Sequence, residues 1–293
     1  MIDETLVKNT IIELLKDSST KLPLDVKNAL EKAYEIEEGP AKAQLEAIIK
    51  NIKMAEDSAT PLCQDTGVHI FFVKIGDIGN PKLEKRLSSI IIDGVREATK
   101  SVPLRPNAVH PLTRKNPGDN VGDYMPYVNY TPIDADYIEI TAMPKGAGSE
   151  NMSRVAMLNP SDGLKGIKKF ALDTVVGAGS KPCPPTIIGL GIGGSADISI
   201  KLAKMALLRP IDQRHTDPAV AALEKELFEA FNALGIGVMG LGGKTTVLGV
   251  NAELGYCHTA SLPVAINVQC WAGRKATARI YRDGRVEHLT YKR

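Results

Sequence analysis

The chain has 293 residues, with 36 basic and 34 acidic side chains and a formal net charge of +2, a balance that gives no electrostatic footprint for nucleic acid or an anionic membrane. Hydrophobic residues at 43% and charged residues at 24% are globular rather than disordered values. No apolar run approaches the ~20 residues of a membrane span, and the start, with Asp3, Glu4 and Glu13, lacks the basic flank and apolar heart of a signal peptide, so the sequence reads as a cytoplasmic protein.

Leu6, Ile11, Ile12, Leu14 and Leu15 recur at helical spacing behind Asp3 as N-cap. A second helix is expected from about Pro23 to a stop at Glu38 and Gly39. A third follows Pro40, with Ala43, Leu45, Ile48, Ile49 and Ile52 on one face. Residues 68–75 read as a strand and 82–100 as a helix. Residues 101–136, rich in Pro, Asn, Gly and Asp, form a long polar connection of the kind that is usually functional. Then come a strand at 137–143, a helix at 162–176, a short strand at 186–190, and helices at 195–208 and 217–234. The tail, 264–291, alternates like strands, with a hairpin turn at Asp283-Gly284. The expected fold is α+β in one domain, 1–293. A helical N-terminal subdomain (1–57) packs on a mixed α/β core (58–293) that ends in antiparallel strands.

Four cysteines, Cys63, Cys183, Cys257 and Cys270, are too sparse for a disulfide framework and contain no CxxC pair for zinc. They are either inert buried thiols or ligands gathered from distant loops. Cys63 stands in Pro61-Leu62-Cys63-Gln64-Asp65-Thr66-Gly67, a setting poorly suited to core packing. Cys183 lies between Pro182 and Pro184, which remove two backbone N–H groups and stiffen the loop. Cys270 closes an apolar strand before Trp271, whereas no Pro or Gly turn touches Cys257. Three such thiols suit an iron–sulfur cluster with one iron left open, four being usual for purely electron-transferring sites.

Gly189-Leu190-Gly191-Ile192-Gly193-Gly194 satisfies G-x-G-x-x-G. The acidic residue of a dinucleotide site, ~20 positions on, would fall at a helix end in 207–217. A loop giving backbone N–H groups to an anion is the better use of it. Gly243-Lys244-Thr245 ends no P-loop, because Val stands at 238. Gly146-Ala147-Gly148-Ser149-Glu150-Asn151 is either a tight turn with a Ser cap or a small-residue loop that admits a ligand. His258 is a structural residue or a catalyst. Arg105 is a candidate carboxylate clamp, with His110 and Arg114 as competitors in the same loop.

These segments occur in the same order in a known family. The sequence resembles, over nearly its whole length, the alpha subunit of class I (iron–sulfur) fumarate hydratase and the related alpha subunit of L(+)-tartrate dehydratase. The resemblance implies a [4Fe-4S] cluster held by Cys63, Cys183 and Cys270, with Cys257 outside it. It also implies substrate contacts at Gln64, Arg105, Gly146 and Gly148, and catalytic roles for Asp65 and His258. The implied activity is a hydro-lyase of the tricarboxylic acid cycle that interconverts fumarate and L-malate, with tartrate dehydration as the alternative. Single-chain members continue into a second substrate-binding domain, which two-subunit members carry on a beta polypeptide. The resemblance therefore implies a beta partner in an alpha2-beta2 assembly, a small dicarboxylate substrate, and neither nucleic acid nor membrane. A nicotinamide oxidoreductase resting on Gly189 to Gly194, and a non-catalytic scaffold with buried thiols, are the other readings.

Overall fold

The structure, a computed structural model, describes residues 2–291; Met1, Lys292 and Arg293, at the ends of the expected domain, lie outside the described residues. The first half contains α1 (Glu4–Thr20), α2 (Leu24–Ile36), α3 (Gly39–Ser58), β1 (Val68–Ile75), α4 (Pro81–Ser101), β2 (Tyr127–Pro132) and β3 (Tyr137–Lys145). The second half contains α5 (Ala147–Glu150), β4 (Arg154–Leu158), α6 (Gly163–Ala178), β5 (Thr186–Gly193), α7 (Ala196–Ala206) and α8 (Pro218–Ala233). It closes with β6 (Val247–Gly255), β7 (Leu262–Gln269), β8 (Ala276–Tyr281) and β9 (Val286–His288). The α+β expectation holds, with helices first and antiparallel strands at the end. Strand β2 interrupts the supposed polar connection, and β4 and β6 lie where no alternation marked them. The apolar stripe of α3 is also shifted. Ala41, Leu45, Ile48, Ile52 and Ala55 are buried at intervals of three and four, while Ala43 is exposed and Ile49 only half-buried.

The chain divides into two compact units, each discontinuous in sequence. The first comprises Met1–Pro23, Asn51–Gly146 and Arg274–Arg293; the second comprises Leu24–Lys50 and Ala147–Gly273. The division falls within α3.

The first unit is built on a five-stranded sheet in the order β2-β1-β3-β8-β9, in which only β1 and β2 run parallel. Asp3 caps α1 by accepting the Leu6 N–H (2.8 Å), as its sequence suggested. The helix then presents Val7, Ile11, Leu14 and Leu15 at helical spacing to a core that includes Phe71, Val73, Ile91, Ile138, Ile140 and Ile280. Burying each such aliphatic side chain is worth about 1.5–3 kcal/mol. Asn80 caps α4 and Pro81 sits in its first turn, where the missing N–H is no loss. The β8–β9 hairpin turns at Asp283-Gly284 as expected; the Arg285 N–H donates to Asp283 Oδ1 (2.8 Å).

The second unit has a four-stranded sheet in the order β4-β7-β5-β6, with β5 and β6 parallel. On one side α6 and α8 bury Phe170, Val175, Leu223 and Phe231 against Ile188, Leu190, Val250 and Ile266. Helix α7 packs directly on β5, which explains the glycine run. A Cβ on Gly189 would lie 2.0 Å from Ala203 O, and one on Gly191 would lie 2.0 Å from Ser199 O. These glycines admit a helix backbone, not a pyrophosphate. Because both clashes are with backbone that cannot swing aside, Gly191→Ala should destabilise the protein by about 3 kcal/mol, the upper end for overpacking. The measurement is a lowered denaturant midpoint with the m-value retained.

Candidate active site

After α3 the chain turns through Ala59, in the left-handed region at φ 52°, into a loop pinned at Leu62. Leu62 is buried; its N–H donates to Ser19 O (2.9 Å) and its carbonyl accepts from Asn51 Nδ2 (2.9 Å). Cys63 and Gln64, the next two residues, are left exposed. Asp65 then closes a turn by accepting the Gly67 N–H on Oδ1 (2.9 Å). Gly67 adopts φ 83°, and a Cβ there would lie 2.7 Å from Lys145 N, so only glycine fits.

A second loop, 104–108, is laced to the first. Thr66 Oγ1 accepts the Arg105 N–H (3.1 Å) and donates to Arg105 O (3.3 Å). Asn107 Nδ2 reaches Gly67 O (3.1 Å) and Asp65 Oδ1 (3.4 Å). Buried Asn120 braces this loop: its Oδ1 accepts from Asn107 N (2.6 Å), and its Nδ2 donates to Arg105 O (3.1 Å) and Thr99 Oγ1 (3.1 Å). The two loops border a cavity of about 500 Å³ lined in part by Cys63, Gln64, Thr66, Lys100 and Arg105. The structure thus gathers a predicted ligand and two predicted substrate contacts from loops some forty positions apart. His110 and Arg114 pair with each other's turn instead, the Arg114 N–H donating to His110 O (2.9 Å), and neither lines this cavity.

Beside the Asp65 turn lie residues the sequence motifs did not single out: His69, Lys145 and Arg274, all buried, as is Lys275, the next residue in the chain. Arg274 Nη1 donates to Asp65 O (2.8 Å). A Cβ on Gly146 would lie 3.1 Å from Asp65 Oδ2 and 3.3 Å from Arg274 Nη2, so the missing side chain leaves a niche between carboxylate and guanidinium. The one trace of this group in the sequence is position, since each charged residue abuts an apolar strand.

Both ring nitrogens of His69, and Arg274 Nε, have no hydrogen-bond partner among the described residues. Burial, with the Arg274 charge adding to it, lowers the His69 pKa from 6.5 to about 4. The folded protein therefore holds His69 neutral, whereas the unfolded chain protonates it near its ordinary pKa. The associated stability is complete above about pH 6.5 and is lost as pH falls toward 4, in total about 3 kcal/mol. Unfolding titrations should show this loss in the natural protein. In His69→Leu, which breaks no side-chain hydrogen bond among the described residues, that one-proton component of the slope should vanish.

In the second unit, antiparallel pairing sets Ile187 of β5 against Gln269 of β7. Residues just before β5 and just after β7 consequently share one end of the sheet, and Cys183 and Cys270 are such residues. The Trp271 N–H donates to Cys183 O (3.3 Å), joining the two segments. Cys183 is exposed, at φ 54°, in a turn closed by its N–H on Ser180 O (3.1 Å). Cys270 is half-buried, with Sγ 3.7 Å from Ala272 O. Gly148 packs on the same turn, where a Cβ would lie 3.3 Å from Lys181 O. Its short helix is tied down through Glu150, which accepts from Lys204 Nζ (2.6 Å) and Asn267 Nδ2 (3.0 Å).

His258 is not brought to these cysteines. It stands between the end of β6 and the start of β7, and the eight residues of β7 span roughly 26 Å at about 3.3 Å each. There His258 is exposed, its Nδ1 accepts the Ala260 N–H (3.0 Å), and with Cys257 it lines a separate cavity of about 390 Å³. Cys257 donates to Ser261 O (3.3 Å). The picture of four inert buried thiols fails, because Cys63, Cys183 and Cys257 are exposed and Cys270 is only partly covered. Within either unit, among the described residues, no three His, Cys, Asp or Glu side chains form a group that could hold one metal ion.

Residues 8–279 match the family described as fumarate hydratase (Fumerase). Over 284 residues the chain is 54% identical to a Methanocaldococcus jannaschii protein provisionally named L(+)-tartrate dehydratase subunit alpha, covering 96% of this chain and 99% of that protein. It is 37% identical over 277 residues to the L(+)-tartrate dehydratase subunit alpha of Escherichia coli strain K12, covering 94% of this chain and 91% of that one. A match that runs from within α1 to within β8 leaves none of the site residues described above outside it, and the chain belongs to the fumarate hydratase (Fumerase) family.

Proposed function

We propose that this chain is the alpha subunit of a hydro-lyase that adds water to, and removes it from, a small dicarboxylate. The observation that carries the reading is the cavity shared by Cys63, Gln64 and Arg105 in a chain of the fumarate hydratase family. Removing water next to a carboxylate needs a group that moves a carbon-bound proton of very high pKa, a Lewis acid for the departing hydroxyl, and a hold on both carboxylates.

Arg105, whose backbone is fixed by Thr66 and Asn120, grips one carboxylate through its guanidinium fork. Gln64 adds a neutral donor beside it. Asp65 commits Oδ1 to the Gly67 N–H and transfers the proton at Oδ2, which borders the Gly146 niche. Exposed and half-buried thiols on turns are the donor chemistry of an iron–sulfur centre. Cys63, Cys183 and Cys270 would hold a [4Fe-4S] cluster, which when bound supplies a Lewis-acid iron with an open position. The catalytic role that the resemblance implies for His258 is carried as part of this proposal, from a position at the end of β7 far from Cys270.

Fumarate and L-malate are the substrates that the family suggests. L(+)-tartrate, which differs from malate by one hydroxyl, is the second reading, favoured by the names of both relatives. Both are named as alpha subunits, which supports a beta polypeptide that completes the site; an alpha2-beta2 assembly and a place in the cytoplasm are part of the proposal. Among the described residues no helix is long and apolar enough to cross a membrane.

The test is anaerobic purification with and without the beta polypeptide, iron quantification, and assay on fumarate, L-malate and the tartrates. The two-chain enzyme should turn over fumarate and malate, or L(+)-tartrate, and this chain alone neither. Full iron content with no turnover of any of them would overturn the hydro-lyase. Robust hydration of fumarate by this chain alone would overturn the need for a partner.

A further inference from the structure

We infer that Arg274 is a positioning residue for Asp65, holding the carboxylate in orientation without touching substrate; the inference rests on the proton-transfer role proposed above for Asp65. Arg274 is 2% exposed. A guanidinium taken out of water is costly unless its N–H groups are used. Here Nη1 is spent on the main-chain carbonyl of Asp65 (2.8 Å). Nη2 faces the same niche as Asp65 Oδ2, each within 3.3 Å of the point where a Gly146 Cβ would stand. Nε has no partner among the described residues.

Of the side chains named beside Arg274, only the Asp65 carboxylate across the niche carries the opposite charge. His69, the titratable neighbour that senses Arg274, is held neutral, and the next residue, Lys275, is another buried cation. What remains is geometry. Gly67 N–H fixes Oδ1 from one side of the turn, and Arg274 fixes the backbone of the same residue from the other. The carboxylate plane is thereby set, with Oδ2 at the niche. A shift of about 1 Å in a reacting group can lower rate by 10²-fold, so a residue that sets this plane acts on turnover more than on binding.

The experiment uses the cluster-loaded enzyme with its beta polypeptide and the variants Arg274→Gln, Arg274→Lys, Asp65→Asn and the double Asp65→Asn/Arg274→Gln. Arg274→Gln should lower kcat about 10²-fold with KM nearly unchanged and visible absorbance retained. Arg274→Lys should recover much of that loss. The double variant should be no slower than Asp65→Asn alone, because the two residues act through one group. Amide exchange at Gly67, whose N–H is held by the Asp65 carboxylate, should speed up in Arg274→Gln and recover in Arg274→Lys. Should Arg274→Gln fail to fold, Arg274→Lys carries the test with a smaller kcat loss and faster Gly67 exchange. An Arg274 variant with natural kcat and natural Gly67 exchange overturns the inference, as does a loss that adds in full to that of Asp65→Asn. An Asp65→Asn enzyme that stays active overturns the proton-transfer reading and this inference with it.

Discussion

Asp65→Asn is expected to lower kcat about 10²–10⁴-fold, the usual worth of one acid–base group, with iron content and visible absorbance as in the natural chain. The amide is isosteric, and its oxygen can still accept the Gly67 N–H that Asp65 Oδ1 accepts at 2.9 Å, so the turn survives. What it loses is the capacity to exchange a proton near neutral pH. Turnover measured beside iron content separates the two effects. An Asn variant with more than about a tenth of natural kcat would reduce Asp65 to a turn-closing residue.

The second large effect concerns the thiols. Cys63→Ala, Cys183→Ala and Cys270→Ala should each remove the cluster, seen as loss of broad visible absorbance and stoichiometric iron after anaerobic reconstitution, and activity should fall below detection. Cys257→Ala should leave all three readouts intact. The asymmetry follows from environment: Cys183 and Cys270 share one end of a sheet through the Trp271–Cys183 hydrogen bond, whereas Cys257 is bound to Ser261 O in the loop before β7. Two thiolates cannot replace three around a cubane whose irons are otherwise held only by sulfide. A Cys183→Ala protein that keeps its iron, or a Cys257→Ala protein that loses it, would refute the assignment.

The parts of the fold legible in the sequence are those where one local signal decides. Asp3 before a helical stripe and Asp283-Gly284 between alternating strands each have a single physical reading. Strand β6 carried none: it is buried along most of its length, so its residues do not alternate, and Gly249 and Asn251 read as breakers. Asn251 is accommodated because Nδ2 donates to Ala206 O (3.1 Å) and Arg209 O (2.9 Å), partners supplied only by the fold. The candidate site divides in the same way. Cys63, Gln64, Asp65 and Gly67 are neighbours in sequence and could be read as a unit. Arg274 and His69 acquire meaning only when β1 and the start of β8 meet the Asp65 turn, a juxtaposition that no spacing encodes. The glycine run at 189–194 was ambiguous for the opposite reason, since a ligand cradle and a close helix contact need the same missing Cβ.

The discontinuity of the two units bears on how the protein is made. Strand β8 pairs with β3 through Tyr137 to Ala142 and links β9 to the first sheet, yet it is synthesised after the whole second unit. The second unit, whose sheet strands all lie between residues 154 and 269, can therefore close its sheet on the ribosome first, as domains folding during synthesis do. The first unit must hold α1, β1 and β3 without their last partner across more than a hundred residues of intervening chain. Such long-range pairing is slow, and meanwhile the β3 edge is open to pairing with other chains. Until β8 arrives, Arg274 is also absent from the Asp65 turn, so the candidate catalytic loop is among the last features of the nascent chain to take its final form.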